Sequence, residues 1–352
     1  MFTTWRTPLA CLLAFCVSAP GLGAIKNSYI APEARTVEGG RDVRIIVSQA
    51  EIQPNINISN VTAAAGGGLL FALIDAGVNN ARAKEAEKKI VPLREALVGY
   101  DFDPLAQHAS TTTLTALGWF DPKQVKLSKE ETGDSLLAAL DAAGTSQLMV
   151  LRYSYETNAD FSGVVVSLDA SIINKAVPAG KKSDSRLAPK NLPYKQTMRS
   201  FVMLPDANPK DPDANVKAWA ADSGKRARAA VDLGVERCQA LLTRSLTQSA
   251  ADAESMLKRN KRKMTKIPGF TGWELESQDD STLIMELMTA TMTRVETYSA
   301  ANAPVVAAPA PAPAEAAGAA PATPEAAPAS PPTPATEAAP APAASVPTAP
   351  AQ

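Results

Sequence analysis

Apolar and polar positions alternate most cleanly in the middle of the chain. In residues 147–156, Met149, Leu151, Tyr153 and Tyr155 share one parity. In residues 163–173, Val164, Val166, Leu168, Ala170 and Ile172 share one face and Ser167, Asp169 and Ser171 the other. Residues 194–204 repeat the pattern with Met198, Val202 and Leu204. A period of two predicts strands with one wet face, so the three read as an antiparallel meander with helices on its dry side. Residues 42–52 are rich in β-branched side chains and predict another strand, which Ile56 and Ile58 prolong past Pro54.

Helical spacing takes over elsewhere. Ala86, Ile90, Leu93 and Leu97 recur at steps of four, three and four, which predicts an amphipathic helix over 82–97. Pro92 should kink it or start a second helix after Ile90. A polar helical segment is predicted around 104–117, and a short helix around 134–143 that ends at Gly144. The longest stripe runs through Ala227, Ala230, Val231, Gly234, Val235, Cys238, Leu241, Leu242 and Leu246, within a helix expected over 214–248. Three short strands follow at 270–277, 282–288 and 292–298, a small C-terminal β-meander. The fold class is therefore α/β (α+β): a mixed sheet whose antiparallel meander is packed by helices, with a disordered tail.

The termini fall outside this pattern. Arg6, an apolar run over 9–17 and the small residues Ser18 to Ala24 have the order of a cleavable secretory signal peptide, residues 1–24. Cys16 follows Phe15 and Cys11 comes too early in the run, so lipidation is not expected. Residues 301–352 are almost only Ala and Pro, with Glu315, Glu325 and Glu337 as charges, and predict disorder with polyproline II character. This leaves a folded domain over 25–250 and a basic segment plus meander over 251–300. Loss of the signal removes Cys11 and Cys16, so the lone Cys238 should be buried in an oxidising periplasm.

Composition narrows the chemistry. A net charge of −1 gives no global pull toward nucleic acid, and export disfavours that partner further. The only histidine, His108, has no nucleophile motif beside it. One His and one mature Cys do not make a zinc site. Asp211, Asp213, Asn215 and Asp222 match part of a calcium loop, but Val216 stands where the turn needs Gly. The simpler reading is that Asp213 or Asn215 caps the long helix. No phosphate-binding glycine motif with its lysine is present. No catalytic residue, cofactor or metal is therefore expected.

Two segments remain as candidate sites. Residues 61–78 are the most apolar of the mature chain and include Gly66, Gly67, Gly68, Leu69, Leu70, Phe71, Leu73 and Ile74, with Asp75 as their one charge. They suit a membrane-inserting or oligomerising segment, or a core helix. Lys258, Arg259, Lys261, Arg262, Lys263 and Lys266 suit an anionic surface such as lipid headgroups, or a solvated face.

The order helix, Gly, long strand, long strand is carried by Leu136-Leu137-Ala138-Ala139-Leu140, Gly144, Leu148-Met149-Val150-Leu151 and residues 164–173. It resembles the periplasmic α/β domains of the curli secretion lipoprotein, the outer-membrane activators of peptidoglycan synthesis and the N-terminal domain of the Tol translocation protein. The resemblance covers at most residues 41–248. Thr145 and Ser146 stand where that group carries an Asp after the glycine, and the lipidated Cys is missing. It implies a non-enzymatic envelope factor, periplasmic or outer-membrane-associated. Such a factor works through envelope proteins, through homo-oligomers or through peripheral membrane contact. The alternatives are a membrane-inserting oligomer built on 61–78 and, from the nearness of Asp101 and Asp103, an enzyme acting through carboxylates.

Overall fold

A computed structural model of the chain describes residues 28–56, 69–177, 180–258, 263–287 and 289–299, and of 33, 69–78 and 255–258 the backbone alone. The expected signal peptide, Gly66–Gly68, Ile58, Arg259, Lys261, Arg262 and the Ala/Pro tail lie outside the described residues.

The described elements run α1 (Pro32–Arg35), β1 (Arg41–Val47), β2 (Gln53–Pro54), α2 (Leu69–Ala96), α3 (Phe102–Ala116), β3 (Pro122–Ser128), α4 (Gly133–Ala142), β4 (Gln147–Thr157) and β5 (Gly163–Asn174). They continue with β6 (Tyr194–Met203), α5 (Pro212–Thr247), α6 (Ala250–Lys258), β7 (Gly272–Gln278), β8 (Ser281–Glu286) and β9 (Met292–Thr297). The strands form one mixed sheet in the order β3-β1-β4-β5-β6-β9-β8-β7, with β2 also on β4. The fold is α/β, as the alternation predicts. Parallel neighbours need crossovers, and β1 is flanked by parallel β3 and β4. The helices α2, α3 and α4 supply those crossovers. The antiparallel meander is β4-β5-β6.

Several expectations are corrected. The strand expected over 42–52 ends at Val47, and a separate short strand follows at Gln53–Pro54. Between them the Gln49 side chain replaces a residue of the ladder: its Nε2 donates to Tyr155 O at 2.5 Å and its Oε1 accepts from Tyr155 N at 3.3 Å. The C-terminal meander continues the main sheet, because β9 pairs in parallel with β6. Helix α2 runs unbroken past Pro92, from Leu69 to Ala96. Strand β3, which the sequence pattern does not predict, forms an edge.

One face of the sheet carries α2, α3 and α5. Val43 and Ile45, Met149 and Leu151, and Val164 to Ile172 at every second position meet Ile90, Leu93, Leu114 and the α5 stripe in a single buried cluster. On the other face α4 covers Ile46, Leu148, Val150 and Ile173. A second patch there buries Val165, Phe201, Ile284 and Val295 under Ile267 and Phe270. Between the patches lies the polar strip foreseen from the alternation, with Asp169 exposed.

Helix α5 is broken inside its span. Ala221 is extended, and Asp222, Ser223 and Gly224 are left-handed. At Gly224 the φ is +72°, and a Cβ there would sit 2.9 Å from Ala96 O, so both conformation and space require glycine. Further on, a Cβ at Gly234 would fall 2.4 Å from Val166 Cγ2, so α5 lies flush on β5 at that point.

Burial holds several acids in their neutral form. It pushes the Cys238 thiol up to about 12 and raises the phenols of Tyr153 and Tyr194. Tyr155 rises to about 12, through burial and then the nearby Asp103, Glu51 and Asp101. Tyr100 is also raised, first by burial and then by Asp232, whose Oδ1 it meets at 2.6 Å. Each group keeps its proton in the folded chain at a pH where the unfolded chain loses it. Their stabilisation is complete below the unfolded values, about 8.5 for Cys and 10 for Tyr, and is lost as pH rises toward the folded ones. Arg41 and Arg294 work in the opposite sense, both pulled down by burial, Arg41 to about 10, and two groups do not offset five. The melting temperature should fall steeply between pH 8 and pH 11. Calorimetry across that range checks it, and a flat profile contradicts it.

Candidate functional site

Helix α2 has two unlike halves. From Ala86 onward it is bound to the body: Ala86, Ile90, Leu93 and Leu97 are buried, as their spacing predicts. Arg94 Nε donates to Ile52 O at 3.0 Å and pairs with Glu51, also at 3.0 Å. Arg228 of α5 caps the helix end, donating to Ala96 O at 2.9 Å and Val98 O at 3.0 Å. Toward the N-terminus the burial falls off among the residues whose side chains are described. Residues 79–85 contain no buried position, and Asn80, Ala81, Arg82, Lys84 and Glu85 are exposed. Residues 69–85 amount to about 25 Å of helix at 1.5 Å per residue.

The apolar pattern also changes sides. At about 100° per residue, positions 70, 73, 74 and 77 fall on the side of the axis opposite 86, 90, 93 and 97. Those positions hold Leu70, Leu73, Ile74 and Gly77. The positions in line with the buried stripe hold Ala72, Asp75 and Asn79. The two halves cancel, so no single amphipathic stripe runs through the helix. Of the predicted segment, Leu69, Leu70, Phe71, Leu73 and Ile74 thus lie in the first turns of α2. Among the described residues, no helix is long and apolar enough to cross a membrane.

The basic run is partly built into the sheet. Lys263 O accepts from Glu274 N at 3.0 Å, Thr265 N donates to Gly272 O at 3.0 Å, and Met264 bridges to Trp273. This laces 263–265 along the outer edge of β7, and Lys263 Nζ pairs with Glu274 at 3.0 Å. Lys266 is exposed, and Lys258 closes α6. Of the predicted cationic residues, Lys263 is thus tied to β7 and Lys266 is exposed.

A third feature is not visible in the sequence. A cleft of about 680 Å³ opens between α5 and the β7–β8 turn, lined by Arg237, Arg244, Arg294, Glu296, Asp279 and Asp280 among others. Arg237 Nε meets Glu296 Oε1 at 3.0 Å, and Glu296 is buried. Arg244 pairs with Glu276, which Arg294 also reaches at 3.5 Å. Burial lowers the Arg294 pKa despite the carboxylates of Glu276 and Glu296. These residues are far apart in sequence. The one local signal is that Arg237 and Arg244 stand seven residues apart, two turns on one helix face.

The remaining candidates have structural roles. Asp101 caps α3, accepting from Asp103 N at 3.2 Å, and Asp103 pairs with Lys129 at 2.6 Å. The expected caps of α5, Asp213 and Asn215, give way to Asp211, which accepts from Ala214 N at 3.0 Å with Pro212 in the first turn. Asn215 is buried instead, donating to Asp160 O at 2.8 Å. His108 is exposed on α3. Among the described residues no group of three or more His, Cys, Asp or Glu is placed to hold a metal ion. The chain matches no protein-family model, no curated protein and no solved structure.

Proposed function

We propose that this chain is an exported, non-catalytic factor of the bacterial cell envelope that works by protein–protein contact, and that copies associate through the N-terminal half of α2. The observation that carries the reading is the change of side along α2. A stripe of Leu70, Leu73, Ile74 and Gly77 precedes residues 79–85, none of which is buried. Each large aliphatic side chain withdrawn from water contributes about 1.5–3 kcal/mol, and Gly77 lets a second backbone come close. A second copy of the same stripe offers this face an apolar partner. The charged group of the segment, Asp75, falls on another side of the helix and need not be desolvated. The signal-peptide pattern of residues 1–24 and the lone, buried Cys238 support export.

Gly77→Cys in the mature chain tests the reading. Mild oxidation should yield a disulfide-linked dimer, while Lys195→Cys, an exposed position on the open sheet face, should not. A Gly77→Cys chain that stays uncrosslinked, or crosslinks no more than Lys195→Cys, overturns it.

A further inference from the structure

The guanidiniums of the 680 Å³ cleft and the carboxylates that no guanidinium holds come from different elements. Its guanidiniums stand on α5 and β9, as Arg237, Arg244 and Arg294. Two of its carboxylates, Asp279 and Asp280, stand on the β7–β8 turn. The third, Glu296, is committed to Arg237. Arg294 uses two of its five N–H groups: Nη1 donates to Ser281 Oγ at 3.1 Å, and Nη2 lies 3.5 Å from Glu276 Oε2. Among the described residues, no cation pairs with Asp279 or Asp280. Ala240 and Leu241 give the cleft its apolar lining.

A simple anion entering here meets two unpaired aspartates, and a simple cation meets three guanidiniums. A ligand with one charge of each sign satisfies both sets. We propose that the cleft binds a small zwitterion, an amino acid or short peptide with free ends. Its carboxylate lies on Arg294 and its ammonium on the Asp279–Asp280 turn. The planar guanidinium suits a carboxylate better than an ammonium would. The volume lies in the range of small-molecule sites, about 300–1,000 Å³. The inference is independent of the role given to α2.

Titration calorimetry on the mature chain tests it with the dipeptide alanyl-alanine, its C-terminal amide and its N-acetyl form. The free dipeptide should bind, and each blocked form should bind at least tenfold more weakly. Arg294→Gln should lose affinity for the free dipeptide, and Asp279→Asn/Asp280→Asn should do the same, with melting temperatures confirming that both variants are folded. No binding of the free dipeptide at millimolar concentration overturns the proposal. So does equal binding of the three forms, or sensitivity to only one of the two blocks.

Discussion

Trp219→Ala should lower the unfolding free energy by about 3–5 kcal/mol, the usual cost of truncating a large buried aromatic. Trp219 is fully buried on the first segment of α5. Its Nε1 donates to Phe161 O at 3.0 Å, and its ring meets Tyr298 edge-on at 6.5 Å. Phe161 is itself buried at the tip of the β4–β5 hairpin, with φ at +56°. Two residues beyond Trp219 the helix breaks, and Asp222 and Ser223 adopt left-handed conformations that each cost on the order of 1–3 kcal/mol. The Trp219 bond, with Asn215 on Asp160 O, holds that first segment against the hairpin despite this strain. Trp219→Phe separates the contributions. It keeps most of the packing and leaves Phe161 O unpaired, for a loss of about 1–3 kcal/mol. Urea unfolding reads both values, and a loss below about 1 kcal/mol for the alanine variant would show that the hairpin is held by something else.

Arg41→Ala should cost about 3 kcal/mol or more, an unusual sensitivity for an arginine. Arg41 is buried at the start of β1, and among the described residues no carboxylate pairs with it. Its Nε donates to Gln147 Oε1 at 2.7 Å, its Nη1 to Arg35 O at 2.8 Å and its Nη2 to Ala34 O at 2.8 Å. The guanidinium also lies over the rings of Trp119 and Phe120, at 5.2 and 5.3 Å. Removing it orphans three acceptors, each at roughly 1–3 kcal/mol where water does not replace the donor. The damage should be greatest in the N-terminal segment. That segment is tied on by Arg41, by Arg35 on Gln248 O at 2.9 Å and by the Ser28 O contact with Ser245. Limited proteolysis should therefore cut near residues 28–40 in the variant before the rest of the domain. Arg41→Lys should recover only part of the loss, because an ammonium does not span the three acceptors of the planar fork. Wild-type proteolysis in Arg41→Ala would contradict this role.

How much of this was legible depends on which forces act locally. The β4-β5-β6 meander was readable because each strand has one buried and one wet face, so parity alone marks it. Ala86, Ile90, Leu93 and Leu97 were readable for the same reason at helical period. Strand β3 was not, because an edge strand buries little: only Val125 and Leu127 pack, and Lys123 and Gln124 are exposed. The α5 break was hidden, since Ala220-Ala221-Asp222-Ser223 carries no proline and only Gly224 hints at it. Arg41 reads as a surface charge until the backbone carbonyls that accept from it are in place. The cleft joins residues 237, 244, 279, 280 and 294, which only the pairing of β9 with β6 brings onto the sheet that α5 covers. The apolar character of 61–78 was plain. The change of side between 70–77 and 86–97 emerged only once one continuous helix linked those positions.

Size-exclusion chromatography with light scattering, on mature chain and on a Leu70→Asp/Ile74→Asp variant, is the most direct test of association through α2. The mature chain should elute above monomer mass at micromolar concentration, and the variant as a monomer with an unchanged melting temperature. A mature chain that is monomeric at every concentration, or a variant that assembles like the mature chain, would contradict the proposed role of the helix.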